Sequence, residues 1–506
     1  MLKILRQFPF FLLVVIAFAI AMLFPAFLAW QGEFHSMKQA FLRTSIITLL
    51  LSFSIGYLTV DRKLRGDYRD HLASLVLTYL ILPFILALPI IQSIPSFGFT
   101  HAVYEMLSSL TTTGATLIPD TQGVNLPLLA YSCLVAWMGS FLIILLAFAV
   151  LEPANIGGFE LISDMTNSGS VRSIGGGFGH SDRFIHYFKL LAPPYLLLTA
   201  LLASLLAFSG EGAVYSIMHA WSVMSTSGFD PRTGINTGAN HAIGEIVIFC
   251  FLLLGCSRLF LIRAGRNKTF KGMHNDPEIR VVLFVMTSCV LLFFSIMISE
   301  SFSHRQFPKA LELIENLWGS VFSTLSFLTS HGVQSKYWQY GTDIEATALP
   351  ALILMGLTIL GGGVATSAGG LKLLRVYALT RLGHREIARL IDPHSIAASG
   401  KVGRKLRRRG GVNAFVFLML FLAGICCAAL AFSFTGVEFE KSLVAAIASA
   451  ANCGPLMSVL PTHEIKLEEM KNSFFIISGV MMIFGRVEVI VLAALINPAF
   501  WLEDRK

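Results

Sequence analysis

The most informative stretch of this chain is LTTTGAT, residues 110–116, because it ends a short apolar segment that is too brief to cross a membrane. Three similar stretches follow it, and the central glycines of the four are 114, 104 and 122 residues apart. This long-period repeat predicts four copies of one unit, which runs span, short helix, glycine turn, span. The other three stretches are MSTSGFD at 224–230, LTSHGV at 328–333 and AANCGP at 450–455.

The composition around these stretches is that of a membrane protein. Of the 506 residues, 55% are hydrophobic and 13% are charged, which is roughly half the charged share of an ordinary soluble domain. A soluble globular protein is therefore excluded. We predict ten spans, each needing about 20 residues to cross the hydrocarbon core. They lie near 8–30, 41–60, 71–94, 125–150, 184–208, 240–263, 279–299, 346–372, 412–434 and 473–497.

The net charge of +8 is concentrated in alternate loops. Basic clusters lie near residues 62–69, 263–271, 381–389 and 401–409, whereas the loops between them hold scattered bases. By the positive-inside rule these clusters are cytoplasmic. An even number of spans then places both termini in the cytoplasm. The charge is explained by topology and by contact with membrane lipids, so we expect no nucleic acid as a partner.

The four glycine turns predict a pore. Irregular backbone at membrane depth is tolerated only where protein surrounds it or where it lines an aqueous cavity, so the turns are best placed around one axis. Glycine lets successive carbonyls point inward, where they can replace the hydration shell of a monovalent cation. The C-terminal ends of the short helices also favour a cation. The candidate ion-binding residues are Thr112, Thr113, Gly114, Thr226, Ser227, Gly228, Ser330, His331, Gly332, Asn452, Cys453 and Gly454.

A candidate gate follows from a glycine-rich interruption of the span at 346–372. Five glycines within ten positions favour a loop that leaves the helix beneath the turns, although close helix packing through small residues is the alternative. A charged side chain in the last span is costly unless it faces water or a partner, so we expect it to face the pore. The gate residues are Gly361, Gly362, Gly363, Thr366, Ser367, Gly369, Gly370 and Arg486.

These motifs resemble a known family over nearly the whole chain. Besides the glycine turns, the likeness rests on MG at 138–139, NIGGFE at 155–160, GGGVATSAGGLK at 361–372 and GRVE at 485–488. The chain resembles the Trk/Ktr/HKT superfamily of potassium transporters, in particular its bacterial TrkH-like branch. The resemblance implies an all-α polytopic protein with four pseudo-repeats of helix, re-entrant half-helix and helix around a central pore, preceded by two additional helices.

The resemblance also implies a location, a substrate and partners. The protein would lie in the bacterial inner membrane, take up potassium as its substrate and need no cofactor in this chain. Members are generally homodimers that bind a cytoplasmic nucleotide-binding regulatory subunit of the NAD or ATP type. The expected division is residues 1–66 for the two extra helices, then four repeats at 67–160, 161–272, 273–400 and 401–506, with the gate in the third.

The third and fourth turns depart from the family pattern. His331 precedes Gly332 directly, and the fourth turn has Asn452-Cys453 before its glycine and Pro455 after it. These departures put the equivalence of the four turns in doubt. We interpret His331 as a neutral histidine that is hydrogen-bonded behind the turn, with a pH sensor as the alternative.

Two other classes of protein remain as alternatives. A secondary cation carrier, coupled to protons or sodium with alternating access, would use inverted repeats, whereas these four repeats run in one order. An enzyme would need converging catalytic groups, and Ser330-His331 has no third member, so we predict no enzyme. The coupling of transport stays open.

Overall fold

A computed structural model describes residues 8–59, 68–94, 97–118, 126–151, 180–230, 241–257, 276–304, 310–338, 349–391, 408–458 and 465–487. The regular secondary structure of these residues is helical. The four predicted domain boundaries, the basic clusters at 263–271 and 401–407, the motif at 155–160 and Glu488 lie outside the described residues.

Two long segments precede the repeats, as predicted. Helices α1 (Phe10–Ala21) and α2 (Leu23–Gln31) follow each other directly, and α3 (His35–Thr59) packs against both. The break between α1 and α2 has a local cause, because Pro25 has no amide hydrogen to give to the carbonyl of Ala21. Helix α3 starts six residues before the predicted span at 41–60, since its first turn is not apolar.

Four helix triplets follow, and in each the middle helix is the one that ends at a glycine turn. We call α5, α8, α11 and α15 the half-helices. The triplets are α4 (Tyr68–Ser93), α5 (Phe99–Leu110) and α6 (Leu126–Leu146); α7 (His180–Phe208), α8 (Ala213–Ser225) and α9 (His241–Leu252); α10 (Pro277–His304), α11 (Ala310–Leu328) and α12 (Leu349–Leu360); and α14 (Arg408–Phe434), α15 (Phe439–Ala450) and α16 (Asn472–Arg486). Helix α13 (Leu373–Ile391) joins the third triplet to the fourth.

Seven segments of the described chain are long and apolar enough to cross a membrane. They match seven of the ten predicted spans. The other three predictions coincide with shorter apolar helices, which are Ala242–Cys256, Leu349–Leu360 and Asn472–Arg486. The half-helices are not among these ten segments, in agreement with the prediction that they do not span.

The triplets form a closed ring. Each half-helix contacts the last helix of the preceding triplet, so α6 packs on α8, α9 on α11 and α12 on α15. The ring closes because α16, from the fourth triplet, packs on α5 in the first. Sequence order is therefore also the order around the axis.

The glycine-rich interruption predicted within the span at 346–372 is present in the structure. Helix α12 ends at Leu360, an irregular stretch follows, and α13 begins at Leu373. Positive φ angles at Gly361 and Gly370 explain the interruption, since an α-helix requires negative ones. Helix α13 occupies a region predicted only as a basic loop, and Arg375 anchors it to α14 with its guanidinium 3.7 Å from the ring centre of Phe417.

Candidate functional site

All four half-helices end in the same hydrogen-bonded turn. In each, a non-glycine residue adopts the left-handed conformation, and the next amide donates to the carbonyl five residues earlier. This is the Schellman motif, which ordinarily places glycine at the left-handed position. The left-handed residues are Thr112 (φ 53°), Thr226 (51°), Ser330 (57°) and Asn452 (51°), and the amide bonds are Thr113 to Ser108 (2.8 Å), Ser227 to Ser222 (3.0 Å), His331 to Ser326 (2.9 Å) and Cys453 to Ala448 (2.9 Å).

The left-handed residues point to function. A residue other than glycine in this region costs of order 1–3 kcal/mol and persists only where its surroundings impose it. Threonine is especially unfavourable there because its Cβ is branched. Asparagine tolerates this conformation, so Thr112, Thr226 and Ser330 are the three turn residues that are held against local preference.

The glycines of the turns bring the backbones of neighbouring turns into contact. Gly114, Gly228 and Gly332 have φ of 79°, 70° and 76°. A Cβ on Gly114 would overlap the carbonyl oxygen of Ser227, and one on Gly228 would overlap that of His331. Each turn therefore lies against the next turn in sequence, and a side chain has no room between them.

The fourth turn is different. Gly454 begins a 3-10 helix, Gly454–Met457, and is absent from the glycines with positive φ among the described residues. Its amide donates to the carbonyl oxygen of Thr113 at 2.6 Å, which closes the ring. Pro455 then packs beside Gly228 and Gly332. The four turns are therefore not equivalent, and it is the fourth turn that differs. The third turn keeps the common geometry despite His331.

A cavity of about 660 Å³ opens onto the ring and touches all four glycines. Its wall also includes Asp230, two residues after Gly228. The imidazole of His219 links this carboxylate to a second one, with Nε2 3.3 Å from Asp230 and Nδ1 2.9 Å from Glu211. A carboxylate held by an imidazole thus forms part of the cavity wall.

None of the predicted gate residues is among those that line this cavity, and the loop contacts residues that precede the glycines of the turns. Residues 361–370 form a buried loop. Its two ends lie in close contact, because a Cβ on Gly361 would come within 2.8 Å of the Cα of Gly370. The hydroxyl of Thr226 donates to Ser367 Oγ at 3.1 Å, and the amide of Gly369 donates to Ser330 Oγ at 2.8 Å. The loop is therefore bonded to the second and third turns.

Two cations and one carboxylate hold this loop from its other sides. Arg486 donates to the carbonyl of Ser367 at 2.6 Å, and Lys372 donates to the carbonyl of Ala368. The amide of Val364 donates to Glu278 at 2.9 Å. Sequence reasoning singled out Arg486 but missed Lys372 and Glu278, although a charge at the start of an apolar helix was a usable signal for Glu278.

In the described residues the regular structure is helical, and four half-helices of four successive triplets end at one ring. The sequence model of the TrkH family, described as cation transport protein, matches residues 37–176. Together with the relatives and the solved structure given next, this match makes the chain similar to Trk-type potassium transporters.

The relatives extend over almost the full chain. The Trk system potassium uptake protein TrkH of Escherichia coli strain K12 is 27% identical over 499 residues, covering 97% of this chain and 98% of its own. The protein of the same name from Vibrio parahaemolyticus is 26% identical over 493 residues, covering 97% of each. The crystal structure of the potassium transporter TrkH from Vibrio parahaemolyticus superposes with a TM-score of 0.81 at 24% identity, covering 98% of this chain and 99% of that one.

Proposed function

We propose that this chain takes up potassium across the bacterial inner membrane through the ring of glycine turns. The observation that carries the proposal is the ring itself, in which four half-helices end alike and meet in sequence order. The relatives named as potassium uptake proteins support the choice of ion. The twelve residues predicted from the sequence at 112–114, 226–228, 330–332 and 452–454 would form the selectivity filter.

Selectivity in this proposal comes from the backbone. Carbonyl oxygens of the turns would replace part of the hydration shell of the ion, while the C-terminal ends of the half-helices add partial negative charge. Removing the hydration shell costs less free energy for potassium than for sodium. A ring of carbonyls that replaces this shell therefore favours potassium. Asp230 would raise the local concentration of cations in the cavity above the ring.

Ion flux into liposomes that contain only the purified chain tests the proposal. We expect potassium and rubidium to enter faster than sodium. Flux that persists without a proton or sodium gradient supports a channel, whereas flux that follows either gradient supports a coupled carrier. Liposomes with no potassium influx above protein-free controls would contradict the proposal.

The loop at 361–370 is the proposed gate. It would lie beneath the filter, offering a potassium ion few ligands, while the cation of Arg486 repels the ion. Its hydrogen bonds to Thr226, Ser330 and Arg486 would keep it closed. Glycines at its base would let it swing aside.

His331 would act through its carbonyl rather than its imidazole. The side chain is buried, with 3% exposed, and its Nδ1 has no hydrogen-bond partner among the described residues. We expect His331→Ala to change the potassium over sodium preference by less than about threefold, because the backbone that coordinates the ion is kept. Flux measured from pH 6 to 8 should keep the parental profile. A tenfold loss of preference, or a lost pH dependence, would assign a role to the imidazole.

A cytoplasmic partner is proposed from the basic segment at 401–409, whose side chains lie outside the described ones. The chain would form a homodimer with both termini in the cytoplasm and would bind a nucleotide-sensing subunit there. Neutralising Arg407, Arg408 and Arg409 to glutamine should lower recovery of that subunit by about tenfold, since surface charge pairs steer and hold such contacts.

Co-purification from membranes measures this effect, with insertion checked by membrane fractionation. A matched triple variant, with Lys38, Lys336 and Lys466 changed to glutamine on the predicted outer side, should bind the subunit normally. If the parent chain itself retains no cytoplasmic protein, the regulatory part of the proposal is wrong.

A further inference from the structure

The position nine residues before each glycine is equivalent in the four half-helices. Because these helices end in the same turn, the residues at this position occupy equivalent places relative to the four turns. The four residues differ sharply in polarity, although all are buried. They are Glu105, His219, Ser323 and Ala445.

Glu105 binds the chain that leaves the first turn. Its Oε2 accepts the amide of Leu117, three residues after Gly114, at 2.8 Å. Its Oε1 accepts the hydroxyls of Thr116 and Ser132, each at 3.0 Å. The carboxylate therefore connects the segment after Gly114 both to its own half-helix and to α6 through hydrogen bonds.

In the third repeat, two side chains bind the segment that follows the turn. Ser323 Oγ accepts the amide of Ser335, three residues after Gly332, at 3.4 Å. Glu245 in α9 accepts the Ser335 hydroxyl at 2.7 Å and the amide of Lys336 at 2.9 Å. A glutamate thus fastens the strand after the glycine in this repeat too, although it comes from the neighbouring triplet.

The second and fourth turns complete the comparison. In the second, His219 reaches Asp230, two residues after Gly228. In the fourth, Ala445 has no polar side-chain atom, and the chain after Gly454 coils into a 3-10 helix. Among the four repeats, the one without a polar side chain at this position is the one whose glycine leaves the common conformation.

We infer that Glu105 is a positioning residue of the filter, which sets the direction of the first-turn carbonyls by fixing the strand beyond Gly114. Glu245 has the same role in the third turn. The inference rests on the proposed function. It also accounts for the unequal turns, since the described residues of the fourth turn show no such bond and the amide of Gly454 donates instead to Thr113 in the first turn.

Two substitutions at Glu105 separate positioning from charge. In Glu105→Gln the amide oxygen can accept from Leu117, and the amide group can donate to the two hydroxyls, which are able to rotate. In Glu105→Met the length is similar, but no acceptor remains. We expect the potassium over sodium preference to stay within about threefold of the parent in the glutamine variant and to fall by about tenfold or more in the methionine variant.

The same liposome assay measures both variants beside the parent, with insertion and monodispersity followed by size-exclusion chromatography. Glu440→Gln, on the exposed first turn of α15, is the control and should match the parent. A parent without potassium preference contradicts the proposed function. A selective parent with an equally selective, inserted Glu105→Met overturns only the inference.

Glu245→Met and Glu245→Gln provide a second pair, since Glu245 lies outside the half-helices. The contrast between the two substitutions should be smaller here than at Glu105. Glu245 also accepts the indole N–H of Trp318 at 2.8 Å, so the NH2 group of a glutamine must face either that donor or the amide of Lys336. If both methionine variants fail to insert while both glutamine variants succeed, these carboxylates act in folding, and the positioning role is overturned.

Discussion

Replacing Gly114 or Gly228 by serine is expected to lower the potassium over sodium preference by about tenfold to a hundredfold, because the ring depends on backbone that only glycine allows. Both residues have positive φ, so any side chain is strained there. In addition, the new Cβ would overlap the carbonyl oxygen of Ser227 or of His331. The oxygen that must move is one that would coordinate the ion, so selectivity should suffer before folding does.

Reversal potentials or paired tracer fluxes in liposomes measure this loss. Gly383→Ser is the matched control, because a Cβ at Gly383 has no heavy atom within 4 Å. The control should keep the parental preference. Both ring variants inserting normally with unchanged preference would remove the glycine turns from the filter.

Shortening the loop by deleting residues 364–368 is expected to raise flux by about tenfold or more, equivalent to lowering the barrier by ~1.4 kcal/mol. The deletion removes Ser367, which receives hydrogen bonds from both Thr226 and Arg486. Arg486→Ala should also raise flux, since it removes one of these bonds and a positive charge near the path. The effects should be less than additive, because both act on one barrier.

Single and combined variants are compared in liposomes, with and without the cytoplasmic subunit. Arg43→Ala serves as the control, since Arg43 is exposed and donates to Gln39 within its own helix. The shortened protein should also depend less on the subunit. If it inserts but conducts no faster than the parent, the loop is a packing element and the gate lies elsewhere.

The turns were predictable from sequence because their hydrogen bonds are local. Each Schellman cap joins residues five positions apart, so the short helix and its glycine are encoded in one segment. The spans were predictable for a similar reason, since hydropathy is read along a window. The loop at 361–370 was predictable because five glycines disfavour a continuous helix.

The supports of the ring were not predictable because their partners are distant in sequence. Glu245 and Ser335 are 90 residues apart, and Asn452 donates to the hydroxyl of Thr113 across 339 residues. Glu105 also escaped notice, since a buried acid in a half-helix gives no sign of what it will bind. The unequal fourth turn was suggested by Pro455, but its bond to Thr113 depends on ring closure.

The hydrogen bonds that join the loop to Thr226, which donates, and to Ser330, which accepts, have a thermodynamic consequence for the proposed mechanism. Both residues belong to the turns, so the loop cannot leave without changing the environment of two of the four turns. By linkage, an effect of loop position on ion affinity in the ring requires an equal effect of ion occupancy on the loop. Extracellular potassium would then act as a ligand that biases its own gate, and the regulatory subunit would work on an equilibrium that the transported ion has already shifted.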